Sequence, residues 1–184
     1  YTLSNDDLSY EEKQEILSIL AQKRSLVIKK MKNKIKKVVE IITETENVKN
    51  TVIYCGAGLN DDGERIIDEL STELHKKSNK NLKISHFTYN EDDQRKDILE
   101  LFKEEFYDIL LAIKCFDEGI DVPQLEHLYI LSSDKSIRQT VQRRGRVMRN
   151  FSKKTQCFIT DLIAIPPKGI QNDFRVLEHE VDRV

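Results

Sequence analysis

The 184-residue sequence has no apolar run long enough to cross a bilayer and no signal peptide, so we expect neither a membrane-spanning nor a secreted protein. Cysteine is also scarce. The three cysteines are isolated, odd in number and each at or beside an apolar run, at Cys55, Cys115 and Cys157. This spacing argues against a disulfide framework or a zinc site and predicts buried free thiols. We therefore expect a reducing, intracellular compartment.

Several signatures of catalytic chemistry are missing as well. His75, His127 and His179 show no metal-ligand spacing, and scattered residues give no support for a Ser-His-Asp or Cys-His site. Gly56-Ala57-Gly58 follows a predicted strand, but the third glycine of a dinucleotide-binding fingerprint and the Gly-Lys-Ser or Gly-Lys-Thr of a P-loop are absent. We interpret residues 56–58 as a turn between a strand and a helix, and we predict no metal site.

The charge of the chain is balanced overall but concentrated locally. There are 30 Lys and Arg against 32 Asp and Glu, a net charge of −2, yet residues 142–149 hold four arginines, one glycine and no lysine. The planar fork of donors on arginine fits phosphate oxygens, so this segment indicates phosphate recognition. A solvated basic helix face is the alternative.

The first 48 residues form a charged helical lead-in. Between Ser9 and Glu46, apolar residues recur at near-helical spacing, which predicts two helices broken near residues 22–25. Ser9 and Glu12 match the capping-box pattern at the start of the first helix. Lysines spread around the second helix, where some could face a polyanion and the others are solvated.

After Lys49 the pattern alternates between strands and helices. We predict strands at 51–55, 82–87, 108–113, 127–131 and 156–163, and helices at 63–76, 91–105 and 136–144. Connections this short imply an α/β fold with a parallel sheet covered on both faces. We expect Asp61 and Asp62 to support the N-terminus of the helix that follows them, where negative charge is favourable.

A second segment places acidic residues and a glycine directly after a strand. Residues 109–113 are an apolar run typical of a strand buried on both faces, and residues 114–123 end it abruptly. Open α/β sheets bind ligands in loops at the carboxyl ends of their strands, and Gly119 permits a close approach of the backbone. An ordinary strand-ending turn is the alternative.

These segments, taken together, resemble a known family. Residues 117–123 and 142–149, with Ser136-Ile137-Arg138 between them, are similar to motifs V and VI of the second RecA-like domain of superfamily 2 helicases. Within the DEAD/DEAH-type members they most resemble DNA helicases of repair and restriction. Residues 51–55 are similar to motif IV, and residues 93–102 to the helix after the next strand. The resemblance covers roughly residues 50–163.

The resemblance implies a nucleotide site shared with another domain. ATP with Mg²⁺ would be bound mainly by a first RecA-like domain outside this chain, because neither a P-loop nor an Asp-Glu-Ala-His-like segment occurs here. Arg146 and Arg149 fall on the arginine-finger positions and Gln142 on a position near the phosphates. Gly119 and Asp121 fall near the nucleotide, with the Asp121 carboxylate suited to accept a ribose hydroxyl. As an alternative, Asp121 could cap a turn.

The neighbours of the implied arginine fingers are expected to have structural roles. We expect Arg143 and Arg144 to form ion pairs rather than phosphate contacts. Gly145 lies in a helical pattern at a cost of about 1 kcal/mol relative to alanine, so we expect it to end the helix.

Nucleic-acid contacts are implied by position along the strand ends. Lys114 stands where relatives carry a small polar residue, and it could replace that contact as a point charge on a phosphate. Cys55, His86 and Thr88 follow or end strands on the edge that resembles the family's DNA-facing edge. Tyr89 offers a stacking face. A purely structural role for these strand-end residues is the alternative.

We therefore expect a RecA-like parallel sheet with helices on both faces at 49–167, preceded by the lead-in at 1–48 and followed by a helical extension at 168–184. The expected function is the second motor domain of an ATP-dependent DNA helicase or translocase, inactive as this chain alone. Its expected partners are an N-terminal RecA-like domain and DNA rather than RNA, in the cytoplasm or nucleoid. A non-catalytic nucleic-acid-binding or partner-binding domain is the alternative.

Overall fold

The computed structural model describes residues 9–29, 32–89, 94–113, 122–132, 144–145, 147–149, 154–165 and 178. Within these ranges the helices are α1 (Tyr10–Lys29), α2 (Lys32–Glu44), α3 (Ile66–Lys77) and α4 (Arg95–Lys103). The strands are β1 (Thr51–Tyr54), β2 (Ile84–Phe87), β3 (Ile109–Ala112), β4 (His127–Ile130) and β5 (Phe158–Asp161). The five predicted strands and the helices between them are thus confirmed, apart from the predicted helix at 136–144, most of which lies outside the described residues.

The strands form one parallel sheet in the order β2-β3-β1-β4-β5. Every pair is parallel, which confirms the predicted sheet. Tyr54 at the end of β1 is level with Ala112 on one side and with Ile130 on the other. Phe87 and Asp161 complete the same row at the ends of β2 and β5. All five carboxyl ends therefore lie along a single edge of the sheet.

Two apolar clusters cover the two faces of the sheet, because successive side chains in a strand point to opposite sides. Ile53, Leu111 and Tyr129 pack on one face with the buried residues of α2 and α3. On the other face lie α4, Val147 and strand residues such as Val52. Helices on both faces were predicted and are confirmed.

The first helix of the lead-in begins as predicted, but the break between the two helices does not lie where it was predicted. The Ser9 backbone N–H donates to Oε2 of Glu12 at 2.8 Å, and the Glu12 N–H donates to Oγ of Ser9 at 3.3 Å, which confirms the capping box. The predicted break near residues 22–25 is wrong, because α1 runs to Lys29 and α2 begins at Lys32. Residues 22–25 contain no glycine or proline that would end a helix.

Helices α1 and α2 differ in what they contribute to the core. Ile35, Val38, Val39 and Ile42 of α2 are buried in the cluster that it shares with the sheet. In α1, side chains between Tyr10 and Leu20 are largely exposed, Tyr10 to 77%. No helix in the described part of the chain combines the length and the apolar character needed to cross a membrane.

The turn after β1 is confirmed, whereas the role expected for Asp61 and Asp62 is wrong. The Ile66 N–H donates to the carbonyl of Gly58 at 3.2 Å and closes the turn. Asp61 and Asp62 lie in a turn before α3, each with a carboxylate oxygen 3.9 Å from Nζ of Lys32. The acidic residues in the first turn of α3 are instead Asp68 and Glu69.

Two of the three cysteines are described. Cys55 is a buried free thiol, as predicted, and Cys157 is a partly buried one. Burial raises the pKa of the Cys55 thiol to about 12. Cys115 lies outside the described residues. Among the residues that the structure describes, no group of His, Cys, Asp and Glu is arranged to hold a metal ion.

Candidate functional site

The ends of β1, β2 and β3 bring three predicted contact regions to one place. The Cys55 N–H donates to the Ala112 carbonyl at 2.8 Å, and the Ile113 N–H donates to the Phe87 carbonyl at 3.3 Å. These bonds keep the three strands level where they end. Thr88 immediately follows β2, so the loops that begin at Cys55, Thr88 and Ile113 leave from adjacent points on the carboxyl edge.

A concave site of about 280 Å³, which we name the strand-end cleft, opens between these loops. Its lining combines backbone, apolar side chains and one cation: Ala57, Gly58, Leu59, Arg65, Thr88, Tyr89 and Ile113. Gly58 has φ +154°, a backbone conformation that side-chain-bearing residues rarely adopt. A Cβ at this position would lie 3.7 Å from Cδ1 of Ile66, so the glycine is needed for the backbone path of the turn rather than for space.

Arg65, Asp68 and His86 form a charged network beside the cleft. Nε and Nη2 of Arg65 donate to the two oxygens of Asp68 at 2.7 and 2.9 Å. Nδ1 of His86 lies 3.5 Å from Oδ1 of Asp68. The carboxylate therefore fixes the direction of the guanidinium, and protonation of His86 would add a second positive charge at the same point.

An exposed aromatic ring stands at the rim of the strand-end cleft. Tyr89 is 62% exposed although it follows a buried Thr88. The guanidinium carbon of Arg95 lies 5.4 Å from the Tyr89 ring centroid and 5.2 Å from that of Phe87, so Arg95 supports both rings by cation–π attraction. A supported aromatic face beside arginines is the combination with which proteins bind single-stranded nucleic acid.

The predicted nucleic-acid-binding residues reach this edge with different exposure. Cys55 is 4% exposed and Thr88 5% exposed, whereas the His86 side chain is 24% exposed. The Cys55 thiol also donates to the Ile53 carbonyl, with Sγ 3.7 Å from the oxygen. Contacts from these three residues stay predictions, and the fourth predicted residue, Lys114, lies outside the described residues.

Sequence analysis did not select Arg65 or Arg95 as site residues. Arg65 directly precedes α3, the helix that follows β1, and Arg95 is the first residue of α4, which follows β2. A search for basic residues at the starts of helices that follow strands would have found both, because helices packed on a parallel sheet begin near its carboxyl edge.

The arginine-rich segment is described only in part. Gln142 and Arg146, like Gly119 and Asp121, lie outside the described residues, so their predicted nucleotide contacts are untested. Arg149 is described, and its side chain is exposed.

The predictions for Arg144 and Gly145 can be checked. The expected ion pair is confirmed for Arg144, whose Nη2 lies 3.4 Å from Oδ2 of Asp161. Gly145 does not end the helix, since the Met148 N–H donates to the Arg144 carbonyl at 3.3 Å across it. That expectation is wrong because the backbone of Gly145 is not in the left-handed region that ends helices, and Val147 beyond it is helical.

The all-parallel sheet covered by helices on both faces is the RecA-like fold of helicase C-terminal domains. The family of helicase conserved C-terminal domains matches residues 10–151 of this chain. The chain therefore belongs to that family.

Individual relatives agree with this assignment. The DNA 3'-5' translocase XPB2 of Sulfurisphaera tokodaii is 30% identical over 171 residues, which cover 92% of this chain and 34% of that protein. The chain thus spans about a third of the length of this relative. T4 UvsW aligns with 97% of this chain and 34% of its own, at 16% identity and a TM-score of 0.57. The C-terminal domain of the DEAD-box protein Dbp5 aligns with 82% of this chain and 77% of its own, at 15% identity and a TM-score of 0.58. The two structural similarities show a shared fold.

Proposed function

We propose that this chain is the second motor domain of an ATP-dependent DNA helicase or translocase. The observation that carries the proposal is the strand-end cleft, since open α/β sheets bind their ligands at the carboxyl edge of the strands. Membership of the helicase C-terminal family supports a motor, and the similarity to the DNA translocase XPB2 supports DNA as its track.

The strand-end cleft would hold part of a DNA strand. Arg65 offers a guanidinium to a phosphate, and the backbone near Gly58 offers a close approach to the sugar-phosphate chain. Tyr89 offers its exposed ring to a base or a sugar. Lys114, which directly follows Ile113 of the cleft in the sequence, would add a second phosphate contact, and His86, Thr88 and Cys55 would supply the other predicted contacts.

ATP would lie between this domain and a first RecA-like domain that holds its phosphates and Mg²⁺. Arg146 and Arg149 would stabilise the charge that spreads over the transferring phosphoryl group, an effect worth about 10³- to 10⁵-fold in rate in other NTPases. Gln142, Gly119 and Asp121 would complete the nucleotide contacts from this side. The exposed side chain of Arg149, which follows the buried Val147 by two residues, suits a residue that acts across a domain boundary.

The test is ATP turnover by the intact protein with and without single-stranded DNA. Arg146→Ala and Arg149→Ala should each abolish DNA-stimulated turnover while thermal unfolding stays at the wild-type temperature. Lys76→Ala is the matched control, because Lys76 is an exposed cation on α3. Normal turnover in both arginine variants would refute the proposal.

A non-catalytic nucleic-acid-binding domain is a second candidate, because the cation and the aromatic ring of the strand-end cleft do not need ATP to bind a strand. This function predicts that the intact protein binds DNA with a strong salt dependence but has no DNA-stimulated ATP turnover. The two candidates are therefore separated by the wild-type turnover measurement alone.

A further inference from the structure

Lys154 joins two segments of the chain through backbone carbonyl groups. Its Nζ donates to the carbonyl oxygens of Pro123 at 3.0 Å, Leu125 at 3.2 Å and Val147 at 2.6 Å. An ammonium group carries three protons, so each carbonyl receives one. We name this arrangement the Lys154 clamp.

The two segments also share buried apolar contacts. Val122 and Leu125 are 3% and 1% exposed, Val147 is fully buried, and all three belong to the same core cluster. Val122 directly follows Asp121, and Val147 lies between Arg146 and Arg149. The clamp thus connects the segments from which both sets of proposed nucleotide contacts arise.

We propose that Lys154 is a positioning residue, which fixes the proposed arginine fingers relative to the segment that contains Gly119 and Asp121. This inference rests on the proposed function. Packing within the apolar cluster that they share brings the segments together but is not directional, whereas three hydrogen bonds from one nitrogen fix their mutual distance and register. A small displacement of a catalytic group strongly lowers the rate of the chemical step. Loss of the clamp should therefore affect kcat more than the binding of ATP.

The arrangement of the three carbonyl oxygens around Nζ fits lysine better than arginine. The three carbonyl oxygens converge on a single nitrogen, a compact point charge that lysine supplies. No nitrogen of a guanidinium carries more than two N–H groups, and all five lie in one plane, so a guanidinium cannot donate to three carbonyl oxygens from a single nitrogen. Lys154→Arg should therefore keep the charge and fail to restore the clamp.

The experiment uses the intact protein as wild type, Lys154→Met, Lys154→Arg and Lys76→Met, with Arg149→Ala alongside. Two readouts are taken on each: the kcat and KM of ATP turnover with saturating single-stranded DNA, and hydrogen exchange of peptides that cover residues 122–126 and 144–149. Lys154→Met should lower kcat by about 10- to 100-fold and leave KM within about threefold. Both peptides should lose protection together, and Lys76→Met should match wild type in every measurement.

Three results would overturn the clamp: kcat of Lys154→Met within twofold of wild type, loss of protection in only one of the two peptides, or full recovery of kcat by Lys154→Arg. If Lys154→Met does not fold, Lys154→Gln takes its place, because it keeps a donor without the charge. Normal turnover in Arg149→Ala, together with normal turnover in Arg146→Ala, would refute the proposed function instead. Hydrogen exchange, which needs no turnover, would then decide on the clamp alone.

Discussion

Arg144 and Asp161 form an ion pair that joins the arginine-rich helical turn to the carboxyl end of β5. Nη2 of Arg144 lies 3.4 Å from Oδ2 of Asp161, and the two side chains are 25% and 6% exposed. The two described arginines of residues 142–149 therefore have different surroundings, since Arg144 is paired with a buried carboxylate and the Arg149 side chain is exposed.

Loss of the Arg144 side chain should destabilise the fold. Arg144→Leu leaves the Asp161 carboxylate buried without this partner, and we expect the free energy of unfolding to fall by about 1 to 3 kcal/mol. Arg149→Ala should change it by less than about 0.5 kcal/mol, because the side chain is exposed. Urea unfolding of the chain measures both, and equal effects of the two substitutions would contradict the prediction.

The Tyr89 ring should contribute to the binding of single-stranded DNA. Tyr89→Ala should weaken binding by about 1 to 3 kcal/mol, the usual contribution of one stacked base, while Tyr89→Phe should bind as wild type. Fluorescence anisotropy with a labelled oligonucleotide at fixed salt gives the affinities.

Loss of Arg65 should change the salt dependence of DNA binding, unlike loss of the Tyr89 ring. Arg65→Gln should reduce the slope of log affinity against log salt by about 1, whereas Tyr89→Ala should leave that slope unchanged. A change of slope in Tyr89→Ala, or wild-type affinity in it, would show that the ring does not stack on a base.

The stability of the domain should depend on pH through His127. Burial between Tyr129 and Phe158 lowers the pKa of His127 below its ordinary value of 6.5, against the opposing effect of Glu126. A lowered folded-state pKa means that the unfolded chain binds the proton more tightly. Stability from this residue is therefore present above about pH 6.5 and is lost as the pH falls below it.

The matched variant is His127→Phe, which keeps an aromatic ring in the stack and cannot be protonated. Its free energy of unfolding should fall less than that of wild type between pH 7.5 and pH 5. Parallel pH profiles for the two proteins would mean that the pKa of His127 is the same in the folded and unfolded states, which would contradict the prediction.

The described cysteines should react with thiol reagents at different rates. Cys55 is buried and its pKa is raised to about 12, so almost no thiolate is present at pH 8. Cys157 is partly exposed. Alkylation of the folded chain, read peptide by peptide by mass spectrometry, should modify Cys157 well before Cys55. Urea should abolish the difference, and rapid labelling of Cys55 without urea would contradict its burial.

Features that depend on neighbours in sequence could be predicted from the sequence. The capping box between Ser9 and Glu12 spans three residues, and β1 shows its type through four consecutive strand-forming residues. The parallel direction of the strands follows from the alternation of strands and helices along the sequence. These signals are local, so no knowledge of distant contacts was needed.

Features that depend on distant partners could not be predicted. Asp61 and Asp62 lie close to Lys32, which is far away in the sequence, and not at the helix that follows them. Lys154 binds backbone carbonyls, which every residue has, so no side-chain pattern marks its partners. Cys55, His86 and Thr88 were expected at strand ends, and the structure has them there, while contacts from them stay predictions. Arg65 and Arg95 could not be selected from the sequence, because their value depends on the rings and carboxylates that the fold brings to them.

The order of the strands determines when the sheet can form during synthesis on the ribosome. Among the described strands, β1 is synthesised first but lies in the middle of the sheet, between β3 and β4, and β2 lies at the edge beside β3. Neither early strand can find a neighbour until synthesis has passed Ala112. The apolar β1 segment therefore stays unpaired while residues 55–112 are synthesised. During this interval the nascent chain can aggregate or bind chaperones.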